Sequence, residues 1–289
     1  MRPAAGAAGP RRYWRSRQGL AVLLALAFFL AIYLYPLTRL LAWSVFSPGF
    51  TLEHYAKLFA EPAYLRAFRN TVEISVGVTL ISLVLGYPLA YLMAAVSGRV
   101  RALLIVLVLV PFWTSILVRT FAWMVILGKQ GLVNQLLVGW GLVDRPVALI
   151  YNMVGVQIGM VHVLLPFMVF PLYSVMARID VALVAAARSL GASPRQAFLR
   201  VFFPLSLPGM TAGCVLVFLM AVGFYITPAL LGGEGQVTFA TLIELVVRDL
   251  LDWNFGASLG VFLLTIVGAL FVLFTSLLGL ERLTGHGGA

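Results

Sequence analysis

Six stretches of the chain run without a charged side chain: Gln18–Thr38, Ile74–Val96, Ala102–Val118, Pro146–Ala177, Val201–Gly233 and Trp253–Leu280. A bilayer core of about 30 Å is crossed by about 20 mostly apolar residues in helical form. Five stretches reach that length outright. The third stops at Arg119, but Thr120–Gly128 continues it, and an arginine near a helix end can reach the interface along its apolar stem. The pattern therefore predicts six membrane-spanning helices. Barrel strands do not fit, because they alternate apolar and polar positions over about ten residues and these runs are longer and uniformly apolar.

The first stretch follows Arg11, Arg12, Arg15 and Arg17, as a secretion signal would. Its apolar length exceeds a signal core of about 7–15 residues, and no small-residue cleavage site follows, so an uncleaved first helix is expected. Residues 1–10, rich in Ala, Gly and Pro, read as a disordered tail. The short amphipathic piece Leu52–Phe59 suits a membrane interface.

Composition agrees with a membrane protein. Of 289 residues, 62% are hydrophobic and 10% charged, against about half and about one quarter in a soluble domain. A soluble fold of this size would lack the polar side chains to cover its surface. The formal net charge of +10 raises the question of nucleic acid, and the position of the charges answers it. With the N-terminus inside, the segments 1–19, 97–101, 178–200 and 281–289 face the cytoplasm. They hold twelve of the 20 basic residues and two of the ten acidic ones, Asp180 and Glu281, leaving eight of each elsewhere. The whole excess lies on one face, which is a topology signal and not a nucleic-acid surface. Both termini are then cytoplasmic, with outer loops near 47–70, 129–146 and 232–252.

Catalytic chemistry is absent from the sequence. No G-x-x-x-x-G-K-[ST] phosphate loop occurs, and no G-x-S-x-G or H-E-x-x-H. The single cysteine, Cys214, cannot form an intrachain disulfide or a cysteine zinc cluster. His54, His162 and His286 are far apart, and His162 in an apolar span reads as a packed neutral histidine. No catalytic residue, metal site or cofactor is expected. Glu73, the deepest acid by sequence, reads as an interface carboxylate near Arg69, with a ligand for a cationic solute as the sharper alternative.

The loop after the fourth span, ARIDVALVAAARSLGASPRQAFLRVFFPLSLPGM over 177–210, carries the densest local signals. Asp180 can cap a helix through Ala182–Leu190, on which Ala185, Ala186 and Ala187 give a small, smooth face. Gly191 sits where a left-handed residue ends a helix. Ser193 then caps a second helix, with Pro194 at its first position and Gln196 completing a capping box. Pro204 and Pro208 are expected to interrupt that helix before the fifth span. A rigid helix-turn-helix knob carrying Arg188, Arg195 and Arg200 either seats in a partner's groove or lies on lipid headgroups.

The segment resembles the cytoplasmic coupling loop of binding-protein-dependent ABC importer permeases, whose pattern is E-A-A-x3-G-x9-I-x-L-P. Ala186 and Ala187 match its alanines, Gly191 its glycine, Val201 its isoleucine and Pro204 its proline. Ala185 stands where the family has glutamate, and Phe203 where it has leucine. PFWTSILVRTFAWMVILGKQGLVN (111–134), PFMVFPLY (166–173), FPLSLPGMTAG (203–213) and LLGGEG (230–235) resemble the spermidine/putrescine permease branch; permeases for ferric iron, sulfate, molybdate or aminoethylphosphonate share the loop.

The resemblance implies an all-α, six-helix type I importer permease of a bacterial inner membrane. It implies a 1–19 tail, a peripheral first helix over 20–46, a permease core over 70–280 with the coupling loop at 178–208, and a 281–289 tail. It implies two copies of an ATP-binding subunit, a second homologous permease, an extracytoplasmic solute-binding protein and membrane lipid as partners, with hydrolysis on the ATPase. Ala185, Ala186, Ala187, Gly191, Val201 and Pro204 would form the ATPase-facing loop. A polyamine would be met by carboxylates and aromatic faces, for which Glu73, Trp113, Trp123 and Tyr225 are candidates. Pro111, Pro166 and Pro171 are expected to bend their helices. A stand-alone channel or secondary carrier would need polar ion-handling groups and broken helices within its spans, which the sequence does not display.

Overall fold

A computed structural model describes residues 17–46 and 49–277. The tail 281–289, with His286, and all but the last three residues of the tail 1–19 lie outside the described residues. Thirteen α-helices carry the described chain, with no strand beyond a single bridge between Phe46 and Phe50. Six helical stretches are long and apolar enough to cross a membrane.

Helix α1 (Arg17–Val45) leads to a short helix, α2 (Glu53–Ala60), and then to the longest, α3 (Pro62–Ala95). At 1.5 Å per residue α3 is about 51 Å long, so it outruns a bilayer core of about 30 Å. Hence α3 begins twelve residues before the charge-free run at Ile74: its first turns carry Arg66, Arg69 and Glu73 at one end of the molecule. That end also gathers the two short α-helices after the fifth span and the 3-10 turn at Glu234–Gln236 between them, and is called the neutral end below. The other holds Arg99, Arg101, Arg178 and the basic loop.

The third span departs from the sequence reading. A helix through Ala102–Gly128 is expected, but the chain forms α4 (Gly98–Leu109), a 3-10 turn at Val110–Trp113, α5 (Ile116–Leu127) and α6 (Leu132–Gly139). Pro111 has no N–H to donate and its ring blocks the carbonyl four residues earlier, so the α-helix stops there. Thr114 is extended, at φ −100° and ψ 142°. The stretch that satisfies span length is Ile116–Gly139, taken across the Gly128–Gly131 turn. So the count of six holds, but the third lies further along, and α6 takes up residues assigned to an outer loop.

Helix α7 (Met153–Met176) runs unbroken through Pro166 and Pro171. After the basic loop come α8 (Val181–Ser189), α9 (Pro194–Ala197), a π-turn at Phe198–Phe202, and α10 (Phe203–Val222). The expected interruption at Pro204 and Pro208 does not occur. The N–H of Phe203 reaches back five residues to the Phe198 carbonyl, and this widened turn admits Pro204 without breaking the rod. One span therefore extends from Pro194 to Val222. The apolar run beyond it turns at Gly223 into α11 (Ile226–Leu231), then α12 (Phe239–Arg248) and α13 (Trp253–Leu277).

The core lies where α3, α7 and α10 meet, filled by Ile74, Val78, Met93, Met160, Leu164, Met168, Leu172 and Val217. Small residues let these helices approach closely, as bilayer packing requires. A Cβ on Gly213 would come 2.8 Å from the Met168 sulfur. Two buried hydroxyls turn back onto their own helices: Thr79 donates to Ser75 O at 2.7 Å and Thr120 to Ile116 O at 2.8 Å. That satisfies them where no water is present. A second cluster at the neutral end joins Leu58 of α2, Ala67 of α3, Phe239, Leu242 and Val246 of α12, and Phe255 and Leu259 of α13. Helix α1 packs on α13, where Ser258 donates to Ser44 O at 3.0 Å. Its remaining apolar side chains face outward; Phe29 and Tyr33 are each 69% exposed.

Candidate functional site

The basic loop folds as its local signals require. Asp180 accepts from the Ala182 N–H at 2.9 Å and starts α8. At the far end Gly191 adopts φ +92°. Its N–H bonds to Arg188 O at 3.0 Å and that of Ala192 to Ala187 O at 3.1 Å. These two bonds close the carbonyls left free at the helix end, the Schellman arrangement. Nothing lies within 4 Å of where a Cβ on Gly191 would stand, so the backbone angle, and not space within this chain, demands glycine. Ser193 and Gln196 exchange bonds at 2.9 and 3.3 Å, a complete capping box, with Pro194 at the first helical position.

The knob is almost unpacked. Helix α8 buries none of its residues. Val181 is 79% and Leu190 89% exposed, so apolar side chains protrude at both ends. Ala185 and Arg188 face a cavity of about 310 Å³, walled also by Tyr91 of α3, Met176 of α7 and Phe202 of the π-turn. Val201 and Pro204 lie in the rod behind: Val201 within the π-turn and Pro204 just after it.

The four residues singled out for a solute path do not converge. Glu73 accepts from Arg69 Nε at 2.6 Å and lines a groove of about 480 Å³ with Arg66, Asn70 and Glu234. Tyr225 stands at the same end beside Glu244. Desolvation first, and then the Glu244 carboxylate, push its phenol above its ordinary proton affinity. Glu244 in turn accepts from Arg248 at 2.9 Å, which holds that guanidinium still more firmly protonated. Trp123 is elsewhere, donating its indole N–H to His162 Nδ1 at 3.1 Å in an apolar cavity of about 500 Å³ with Ile81, Leu85 and Gln157. That bond leaves the His162 proton on Nε2, a neutral packed imidazole. Trp113, on the 3-10 turn, is 75% exposed and faces outward.

Sequence reasoning missed Glu234 and Glu244, which share a groove of about 710 Å³ with Tyr151, Gln236 and Thr241. The Glu244/Arg248 spacing of four on an amphipathic segment was the available signal for α12. It also missed Asn70, whose amide donates to Gly235 O at 2.8 Å and Val237 O at 3.0 Å and pins the groove's loop to α3. Among the described residues no three His, Cys, Asp or Glu side chains approach closely enough to hold a metal ion.

Comparison with known proteins adds to this geometry. The family model of the binding-protein-dependent transport system inner membrane component matches residues 82–280. The spermidine/putrescine transport system permease protein PotB of Salmonella typhimurium (strain SL1344) is 38% identical over 225 residues, 78% of each chain. PotB of Haemophilus influenzae is 37% identical over 224 residues, again 78% of each. Among solved structures, a chain of a bacterial alginate ABC transporter in complex with an alginate pentasaccharide-bound periplasmic protein superposes with a TM-score of 0.75 at 21% identity. It covers 92% of this chain and 94% of that one.

Proposed function

Because this chain belongs to the family of binding-protein-dependent transport system inner membrane components, it is a membrane-spanning permease of an ABC importer, and we propose that its solute is a polyamine of the spermidine/putrescine class. ATP is hydrolysed on a separate subunit of such a system, and a binding protein presents the solute from the far side of the inner membrane. The observation that carries the solute class is the 38% identity to polyamine permeases over 78% of the chain.

The loop 178–208 is the coupling element in this reading. Ala185, Ala186, Ala187 and Gly191, with Val201 and Pro204 behind them, engage one of two ATP-binding subunits. The basic end then faces the cytoplasm with both termini, in keeping with the distribution of Lys and Arg. What supports the docking is the knob's own build: rigidly capped at both helices, yet leaving Val181 and Leu190 uncovered. A second homologous permease completes the path, and the pair rocks between inward- and outward-open forms as the ATPases close.

The solute enters at the neutral end. Glu73, Tyr225 and the acids Glu234 and Glu244 offer carboxylates and an aromatic face to ammonium groups. Trp113 and Trp123 belong to the path only where the second permease encloses them. Reconstitution of the chain with the ATPase, second permease and binding protein of its own system tests the proposal. ATP-dependent uptake of labelled spermidine, competed by putrescine, is expected; ATP-dependent import of another solute with no response to either polyamine overturns it.

A further inference from the structure

Thrust delivered to α8 meets the spans at the π-turn, the one part of them that the helix lies directly against. The helix buries no residue, and the cavity of about 310 Å³ lies between it and the ends of α3 and α7. Its covalent route runs through the Gly191 turn and α9 into the π-turn, where the backbone hydrogen bond reaches back five residues and not four. Such a turn left alone is a natural place to flex.

It is not left alone. Phe198 and Phe202 stack on each other at 5.7 Å and 16°. Tyr91 of α3 meets both edge to face, at 5.8 Å and 88° and at 5.1 Å and 90°. One turn along α3, Tyr87 reaches Phe198 at 6.4 Å and Phe203 at 5.9 Å. Its hydroxyl bonds Ser206 Oγ at 2.9 Å, and Ser206 donates onward to Phe203 O at 2.8 Å. Two aromatic pairs, each spaced by four residues on its own helix, thus interlock across the widened turn. Rings in these offset and edge-on geometries resist sliding, and each has few rotamers to relax into.

We propose that this clasp of Tyr87 and Tyr91 on Phe198 and Phe202 is the joint that carries coupling motion into the permease, making the knob and the end of α3 move as one body. The inference rests on the coupling reading above. Tyr91 and Phe202 are positioning residues, acting through α8 and α3 and not by touching solute.

The test uses the assembled transporter in proteoliposomes, with labelled spermidine as probe and ATP hydrolysis measured in parallel. Tyr91→Ala is expected to lower spermidine imported per ATP by about threefold or more while hydrolysis continues, and Tyr91→Phe to keep the wild-type ratio. In a Cys214→Ser background, the pair Tyr91→Cys with Phe202→Cys is expected to be uncoupled, and a short thiol crosslinker joining the two to restore the ratio. An unchanged ratio in Tyr91→Ala, or a crosslink that fails to restore or blocks import, overturns the clasp. Where Tyr91→Ala does not assemble, the tethered pair decides. A thiol crosslink from Leu190→Cys to the ATP-binding subunit keeps the two claims apart. Its absence in otherwise wild-type transporter overturns the coupling reading, whereas its presence alongside an unchanged ratio overturns the clasp alone.

Discussion

Thr71 accepts the backbone N–H of Phe239 at 2.7 Å across 168 residues of chain, and gives its own hydroxyl hydrogen to Ala67 O at 2.8 Å. Both residues are buried, so this one side chain fixes the start of α12 against α3. Thr71→Val keeps the shape and removes the acceptor. A buried N–H without a partner costs about 1–3 kcal/mol. The thermal midpoint of the purified transporter in detergent is expected to fall, with Thr71→Ser close to wild type.

Gly191 provides a second case. Its φ of +92° strains any residue with a Cβ by about 1–2 kcal/mol. Since the space around it is open within this chain, Gly191→Val is expected to leave the permease folded in the membrane while spoiling the knob's outline. Uptake driven by ATP should drop severalfold, with Gly191→Asn milder because asparagine tolerates the left-handed region. Wild-type uptake in Gly191→Val would count against the loop's role.

Ser193→Ala removes half of the capping box and costs the second helix about 1 kcal/mol. Amide exchange over 194–200 should quicken by about five- to tenfold, while exchange in the core of α7 stays as it was.

Trp123→Phe deletes the N–H that His162 Nδ1 accepts within the span. The orphaned acceptor should destabilise the protein by about 1–3 kcal/mol, read as a lower midpoint in detergent. His162→Asn is not equivalent, since its shorter side chain abandons the cavity.

Glu73 separates stability from function. Its pairing with Arg69 is solvent-exposed and worth about 0–1 kcal/mol, so Glu73→Gln should melt within a degree or two of wild type. If the carboxylate meets the solute, KM for spermidine rises by about three- to tenfold with kcat unchanged. An unchanged KM would remove Glu73 from the path.

Much of this fold was legible in the sequence because lipid imposes a length requirement that charge-free runs report directly. The loop was legible for a different reason. Asp180, Gly191, Ser193, Pro194 and Gln196 act on backbone groups within a few residues, so their meaning does not wait on tertiary structure. Where the reading failed, the outcome turned on local backbone geometry or on distant contacts that a charge-free run does not report. Pro111 stops a helix that composition would continue, whereas Pro204 does not, because a π-turn braced by Tyr91 on α3 absorbs it. A proline's local chemistry is the same in both places; the neighbours differ. The groove of Glu234 and Glu244 was invisible likewise, since Asn70 draws its loop back onto α3 from 165 residues away.

Every hydrogen bond that shapes the knob from Asp180 to Gln196 spans five residues or fewer. Such a segment holds its outline before anything meets it, so association surrenders little conformational freedom. The encounter rate then depends on diffusion and charge. If the knob docks as proposed, changes at the exposed tip, Leu190 above all, alter how long that complex lives once formed.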